Sequence, residues 1–334
     1  MRFFVTGDDG VLPSIPYLIN IHLMRHFTFI VLCLLFAGGL SAQSSAERIA
    51  RATELYEGER YAAALEELSY VDLDSLTPEY YVAKVVSEFA LEEGLTGWTT
   101  LNDGVKAFPK NVDLLIMRGQ TSLYIPNMAK DGLKDLEKAY RLTDVDTLRR
   151  TLLMSIGTGR FRIMDYEGAY ESYYEYYLGD TTDIGGLTNL ALVMDEIGRG
   201  DETLVYLKKA LAIDSTIAYI YGNIGYKYQV EGDYEQSFAY YAKLQELEPD
   251  DPLGFSNQSY NRMKLGDLEG AIRDADRAVE LDPINSFAWK NRGLILLEMK
   301  EPNLACESFE QALRLGFTKQ WGDEVKKLKK EHCR

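Results

Sequence analysis

Gly232, Asp233, Leu247 and Pro249 become Gly266, Asp267, Leu281 and Pro283 when each index is advanced by 34, and Gly232 becomes Gly198 when it is moved back by the same step. A fixed period of this length constrains the fold more than any local propensity does. Each repeat is one supersecondary unit that cannot bury its apolar face alone, so neighbours have to stack. The clearest copy is residues 218–251, with Tyr221, Gly225, Tyr228, a Gly232-Asp233-Tyr234 turn, Ser237, Tyr241 and Pro249. In-phase units begin at Arg150, Ile184, Ala218, Pro252 and Ser286, and the last ends near Thr318.

Within each unit the pattern reads as helix, short turn, helix. The turns are Met164-Asp165-Tyr166, Gly198-Arg199-Gly200, Gly232-Asp233-Tyr234, Gly266-Asp267-Leu268 and Lys300-Glu301-Pro302. Small residues recur at one position of the first helices (Gly157, Ala191, Gly225, Ser259, Gly293) and at one position of the second (Ala169, Ala271, Ala305). Such a pattern is needed where antiparallel helices cross closely. Upstream, looser helix pairs are expected at 46–57 with 61–71, 78–92 with 96–107, and 112–123 with 129–141. The third of these units runs long, with its excess in 142–146. The expected units are therefore 45–77, 78–111, 112–149, 150–183, 184–217, 218–251, 252–285 and 286–318. Residues 319–334 form an end piece, read over 319–332 as a single amphipathic capping helix. It has Trp321, Val325 and Leu328 on one side and Lys326, Lys327, Lys329 and Lys330 on the other.

The stretch 24–42 reads as a secretory signal peptide: Met24-Arg25-His26, an apolar core from Phe27 to Ala37, and cleavage after Ala42. Its core is too short to span a bilayer, so no transmembrane span is expected in the mature chain. Residues 1–23 fit neither a signal nor a repeat, and Met24 is read as the start. The expected localisation is the bacterial envelope, periplasmic or extracellular.

A net charge of -16 argues against nucleic acid as a partner. Of three histidines, His22 and His26 precede the expected mature start and His332 lies at the end, so neither a histidine-based catalytic pair nor a histidine metal site is expected. No cofactor and no metal are expected, and no enzyme. Cys33, Cys306 and Cys333 match no metal-ligand spacing. Cys306 lies near the start of one helix and Cys333 at the end of the next, so antiparallel packing allows a disulfide between them in an exported chain.

These units resemble tetratricopeptide repeats, the 34-residue helix–turn–helix family. The resemblance rests on Tyr221, Ile224-Gly225, Tyr228 and Pro249, and on Trp289, Gly293, Ala305, Phe309 and Ala312. It covers nearly all of 45–318, and the stretch from Ala305-Cys306 to Cys333 is similar to the tails of exported bacterial proteins of this class. Departures are Arg118 and Arg292 at usually apolar positions, and Thr203 where alanine is typical. The resemblance implies an all-α, right-handed α-solenoid of about eight antiparallel helix pairs with a C-terminal capping helix, the first helix of each pair lining the inner surface.

Asn189, Asn223, Asn257 and Asn291 stand on those first helices in 34-residue register. Tyr219 and Tyr226 share a helix face with Asn223, Tyr260 with Asn257, and Phe287 with Asn291. An amide offers a donor and an acceptor to a peptide backbone. The arrangement resembles the asparagine ladder of the O-linked N-acetylglucosamine transferase, which holds extended peptides. The alternative is that these amides bond within the scaffold. The expected function is thus a non-enzymatic scaffold that binds a protein or peptide in its groove. The other reading is an assembly subunit docking by its outer surface or its basic end helix; the oligomeric state stays open. Other features read as structure: the tyrosines from Tyr166 to Tyr177 as core with Tyr174 and Tyr177 outermost, and Arg199-Gly200-Asp201 as a turn.

Overall fold

The computed structural model describes residues 44–333, which fall into two compact units, 44–179 and 180–333. The signal peptide expected at 24–42 and the segment 1–23 lie outside the described residues, as does the side chain of Trp321. Every regular element among the described residues is helical. The first unit holds α1 (Ser45–Glu57), α2 (Tyr61–Ser69), α3 (Pro78–Ala90), α4 (Gly94–Ala107), α5 (Val112–Tyr124), α6 (Ala129–Leu142), α7 (Asp146–Arg162) and α8 (Tyr166–Gly179). The second holds α9 (Ile184–Met194), α10 (Thr203–Ile213), α11 (Ala218–Glu231), α12 (Tyr234–Leu247), α13 (Pro252–Lys264), α14 (Leu268–Leu281), α15 (Ser286–Glu298), α16 (Pro302–Arg314), α17 (Phe317–Trp321) and α18 (Glu324–His332).

The sequence writes the helix starts plainly. Ser44 and Glu47 form a reciprocal capping box at α1. Asn111, Asp183, Asp251 and Asn285 accept backbone N–H groups at the starts of α5, α9, α13 and α15, and Asp233 and Asp267 do so at α12 and α14. The Asp and Thr residues between repeats act locally: Asp180 accepts from Thr182 and Asp214 from Thr216.

Each turn inside a helix pair contains one residue in the left-handed region. In the second unit these are Gly198, Gly232, Gly266 and Lys300; in the first they are Glu59, Glu92, Asn127 and Met164. Glycine adopts that conformation freely, while an L side chain costs about 1–2 kcal/mol there. A Cβ at Gly232 would meet nothing within 4 Å, so the backbone alone sets its cost. Gly232→Ala should therefore lower stability by about 1 kcal/mol. Met164→Gly should raise it by about 0.5 kcal/mol, since part of the relief is lost to the freer unfolded chain. Urea unfolding of both variants reads these opposite signs.

Close crossings follow the small-residue register. A Cβ on Gly157, Gly225 or Gly293 would sit 2.5, 3.0 or 2.5 Å from the ring of Tyr173, Tyr241 or Phe309. The ring positions share the period, with Leu207 and Ala275 completing the series, and all five are buried. Where the first helix carries Ala191 or Ser259 instead of glycine, the second carries the smaller Leu207 or Ala275. In both units successive first helices pack on one another, α1 on α3, α3 on α5 and α5 on α7, and then α11 on α13 and α13 on α15. The first helices therefore form the crowded side of each stack.

Two boundaries differ from the sequence reading by more than two residues. Helix α7 starts at Asp146, ahead of the expected Arg150, because Asp146 places a carboxylate in its first turn. The surplus of the third unit thus lengthens α7 to 17 residues. The end piece is not one helix over 319–332 but two, α17 and α18. Gly322 breaks it at φ 90° and ψ -163°, a conformation that only glycine adopts readily. Val325 of α18 is fully buried, and Leu328 packs against the same cluster with Phe309, Ala312 and Phe317. Cys306 and Cys333 form a disulfide between α16 and the end of α18, with Cα atoms 5.7 Å apart.

Candidate partner-binding face of the second unit

The asparagine register falls on the crowded side of the second unit, and its members have different fates. Asn189 is half-buried, whereas Asn223, Asn257 and Asn291 retain 6%, 5% and 1% exposure. The Asn291 amide donates to the Ser256 carbonyl and hydroxyl at 3.1 and 3.2 Å, tying α15 to α13. The Asn257 amide donates to the Leu253 carbonyl of its own helix at 3.0 Å. Those two donors are engaged in the scaffold. The side-chain oxygens of Asn223 and Asn291, both buried, have no protein donor. A buried acceptor left this way costs about 1–3 kcal/mol.

The accompanying aromatics, Tyr219, Tyr226, Tyr260 and Phe287, are all half-buried, so each keeps an accessible edge. Burial raises the Tyr226 phenol, with Asp195 and Glu196 adding to the effect. Tyr260 meets the Tyr234 ring edge-on at 6.3 Å.

Two lysines that the sequence reading passed over sit on the same helices. Lys227 is buried and its ammonium lies 2.6 Å from Asp195 and 3.3 Å from Glu231. Burial alone would lower its pKa, but the two carboxylates win and raise it. Lys290 is equally buried, between the rings of Phe287 at 4.6 Å and Tyr260 at 5.9 Å. It has Glu324 at 3.6 Å. There burial wins over that single carboxylate and the pKa falls. Period arithmetic could have found this pair, since Glu324 follows Lys290 by one repeat length.

The two arginines at usually apolar positions each make a polar cleft. Arg118 grips Asp135 with two bonds, 2.7 and 2.9 Å. Arg292 bonds Asp276 at 2.7 Å and Ser308 at 2.8 Å, in a cleft shared with Trp289 and Glu307. Arg199 is held by Glu202 at 2.6 and 2.8 Å in the turn. Of the tyrosine run only Tyr173 is fully buried; Tyr174 is exposed, Tyr177 half-buried, and Tyr170 stacks on Tyr174. That helix thus carries more aromatic surface than the core reading implied. Among the described residues no group of three or more His, Cys, Asp or Glu is placed to hold a metal ion. No helix among them is long and apolar enough to cross a membrane.

Stacked helix pairs in a fixed period define an all-α repeat protein. Two of those pairs match a family by sequence: the family model described as "Tetratricopeptide repeat" matches residues 218–251 and 288–315. The chain is similar to Protein FlbA of Caulobacter vibrioides, 28% identical over 37% of this chain and 21% of that protein. It is also similar to Hsp70-Hsp90 organizing protein 3 of Arabidopsis thaliana, 30% identical over 30% of this chain and 18% of the relative. The matches thus span no more than about a fifth of either relative's length. Among solved structures, a tetratricopeptide repeat protein from Parabacteroides merdae superposes with a TM-score of 0.59 at 16% identity, covering 86% of this chain and 99% of that one. Yeast Tom70 gives 0.58 at 14% identity, covering 90% and 66%.

Proposed function

We propose that the protein is a non-enzymatic scaffold that holds a peptide or an extended segment of a partner protein against the first helices of its second unit. Proteins built of tetratricopeptide repeats generally mediate protein–protein interaction. The observation that carries the finer reading is the Asn223 oxygen, buried without a donor between Tyr219 and Tyr226 on one helix face. A peptide N–H would supply the missing donor once the side chains over that oxygen turn aside, and the aromatic edges would supply contact area at low entropic cost. Tyr260 and Phe287 continue that surface. Asn189 belongs to it by register, while the donors of Asn257 and Asn291 brace the repeats.

The site of action is proposed to be the bacterial envelope or the exterior. The signal-like stretch 24–42 supports this, and so does a disulfide, which persists in oxidising compartments. An assembly role through the basic helix is the second reading, favoured by the exposure of Lys326, Lys327 and Lys330 on α18.

The test is affinity capture from envelope extracts with residues 43–334 as bait, read by mass spectrometry beside a thermal melt. Asn223→Ala with Tyr226→Ala should cut recovery of the captured partner at least tenfold and lower the melting temperature by only a few degrees. Parallel loss of capture and stability would make these side chains scaffold. Loss of capture on reversing the charges of Lys326, Lys327 and Lys330 alone would move the interface to α18.

A further inference from the structure

The carboxylate that reaches buried Lys290 comes from the last helix. Glu324 opens α18, and its Oε2 lies 3.6 Å from the Lys290 ammonium. Helix α18 continues the register of the first helices: Glu324 and Val325 stand one period beyond Lys290 and Asn291. It packs on α16, burying Val325, and its Glu324 reaches across to Lys290 of α15.

Three features make α18 a poor cover on its own. It spans 9 residues, shorter than isolated helices that hold in water. Lys326, Lys327, Lys329 and Lys330 crowd like charges onto it, and only Lys326 and Lys329 have carboxylate partners, Asp323 and Glu310. Its apolar hold is one buried valine and one half-buried leucine. Gly322, at φ 90°, separates it from α17, whose Phe317 is also held by Phe309 and Ala312 of α16. The disulfide grips α18 at the end away from that hinge, and both cysteines are partly exposed.

We propose that α18 is a redox-gated cover over Lys290. With Cys306–Cys333 closed, Glu324 stays on the lysine. A dithiol reductant transfers two electrons and two protons to the bond, leaving two thiols and its own cyclic disulfide. Helix α18 then swings out at Gly322, and Lys290 opens between Tyr260 and Phe287. The consequence for a ligand rests on the groove reading above, because Phe287 and Tyr260 belong to it; the motion itself does not.

Lys227 provides the internal control. It is buried to the same extent as Lys290, but its carboxylates, Asp195 at the end of α9 and Glu231 of α11, do not belong to the cover. The whole chain is treated with an N-hydroxysuccinimide acetate, oxidised or after reduction and thiol alkylation, and acetylation is quantified by peptide mass spectrometry. Lys290 should react at least tenfold faster in the reduced protein and in Cys333→Ser, with Lys227 unchanged. Equal Lys290 rates in both redox states overturn the proposal. A parallel rise at Lys227 overturns it too, by showing that the whole unit loosens. Failure of the groove reading would appear in partner capture and leave these rates untouched.

Discussion

Replacing Cys306 and Cys333 together by serine should lower the unfolding free energy of the 180–333 unit by about 3 kcal/mol. The bond closes a sequence separation of 27. Chain entropy assigns a loop of that size a stabilisation between about 3 and 4.7 kcal/mol, less any strain in the native state. The loop also encloses the cluster around Phe309, Ala312, Phe317 and Val325, so its loss loosens the cover of the last helix pair. For a unit of this length the change corresponds to a fall of roughly 10 °C in melting temperature. Circular dichroism melts with and without a reductant check it. The oxidised wild type should stand apart, while the reduced wild type and the double variant should melt together. Coincident melts of oxidised and reduced wild type would mean that the helices alone hold the end.

The repeat was legible because its determinants are local and recurrent. Gly232 and Gly266 mark turns, Asp233 and Asp267 cap helices, and Gly225 and Gly293 mark crossings, each by its own chemistry. Outcomes that depend on which side chain arrives from a neighbouring repeat were not legible in the same way. Asn223, Asn257 and Asn291 look alike in the sequence, yet the Asn291 amide finds Ser256 and the Asn257 amide finds its own helix. The competition is decided by a serine 35 residues earlier, outside any window used to read a helix. Lys290 was hidden for the same reason, its partner being Glu324 on a helix read only as a cap. Gly322 was missed because an amphipathic pattern continues on both sides of it. Met164 and Lys300 show the converse: the fold imposes a left-handed turn on residues that do not ask for it.

Gly157→Ala should cost the 44–179 unit about 2 kcal/mol, although alanine is the better helix former. The added Cβ would lie 2.5 Å from the Tyr173 ring, which is 1% exposed and held by a hydrogen bond from its hydroxyl to Thr158. Overpacking of this kind costs about 1–3 kcal/mol, and the helix-propensity gain of up to about 1 kcal/mol only partly offsets it. Tyr173→Leu alone should cost about 3 kcal/mol through the cavity it leaves. The next repeat shows how the two changes fit together, since Ala191 and Leu207 occupy the same register positions and are both buried. The double variant should therefore cost only about 2 kcal/mol, well short of the roughly 5 kcal/mol that additivity would give. A urea double-mutant cycle reads the coupling. If the two costs simply added, the helix axes and not the ring would be accommodating the methyl group. The small-and-large pairing along the chain would then be a record of composition without mechanical consequence.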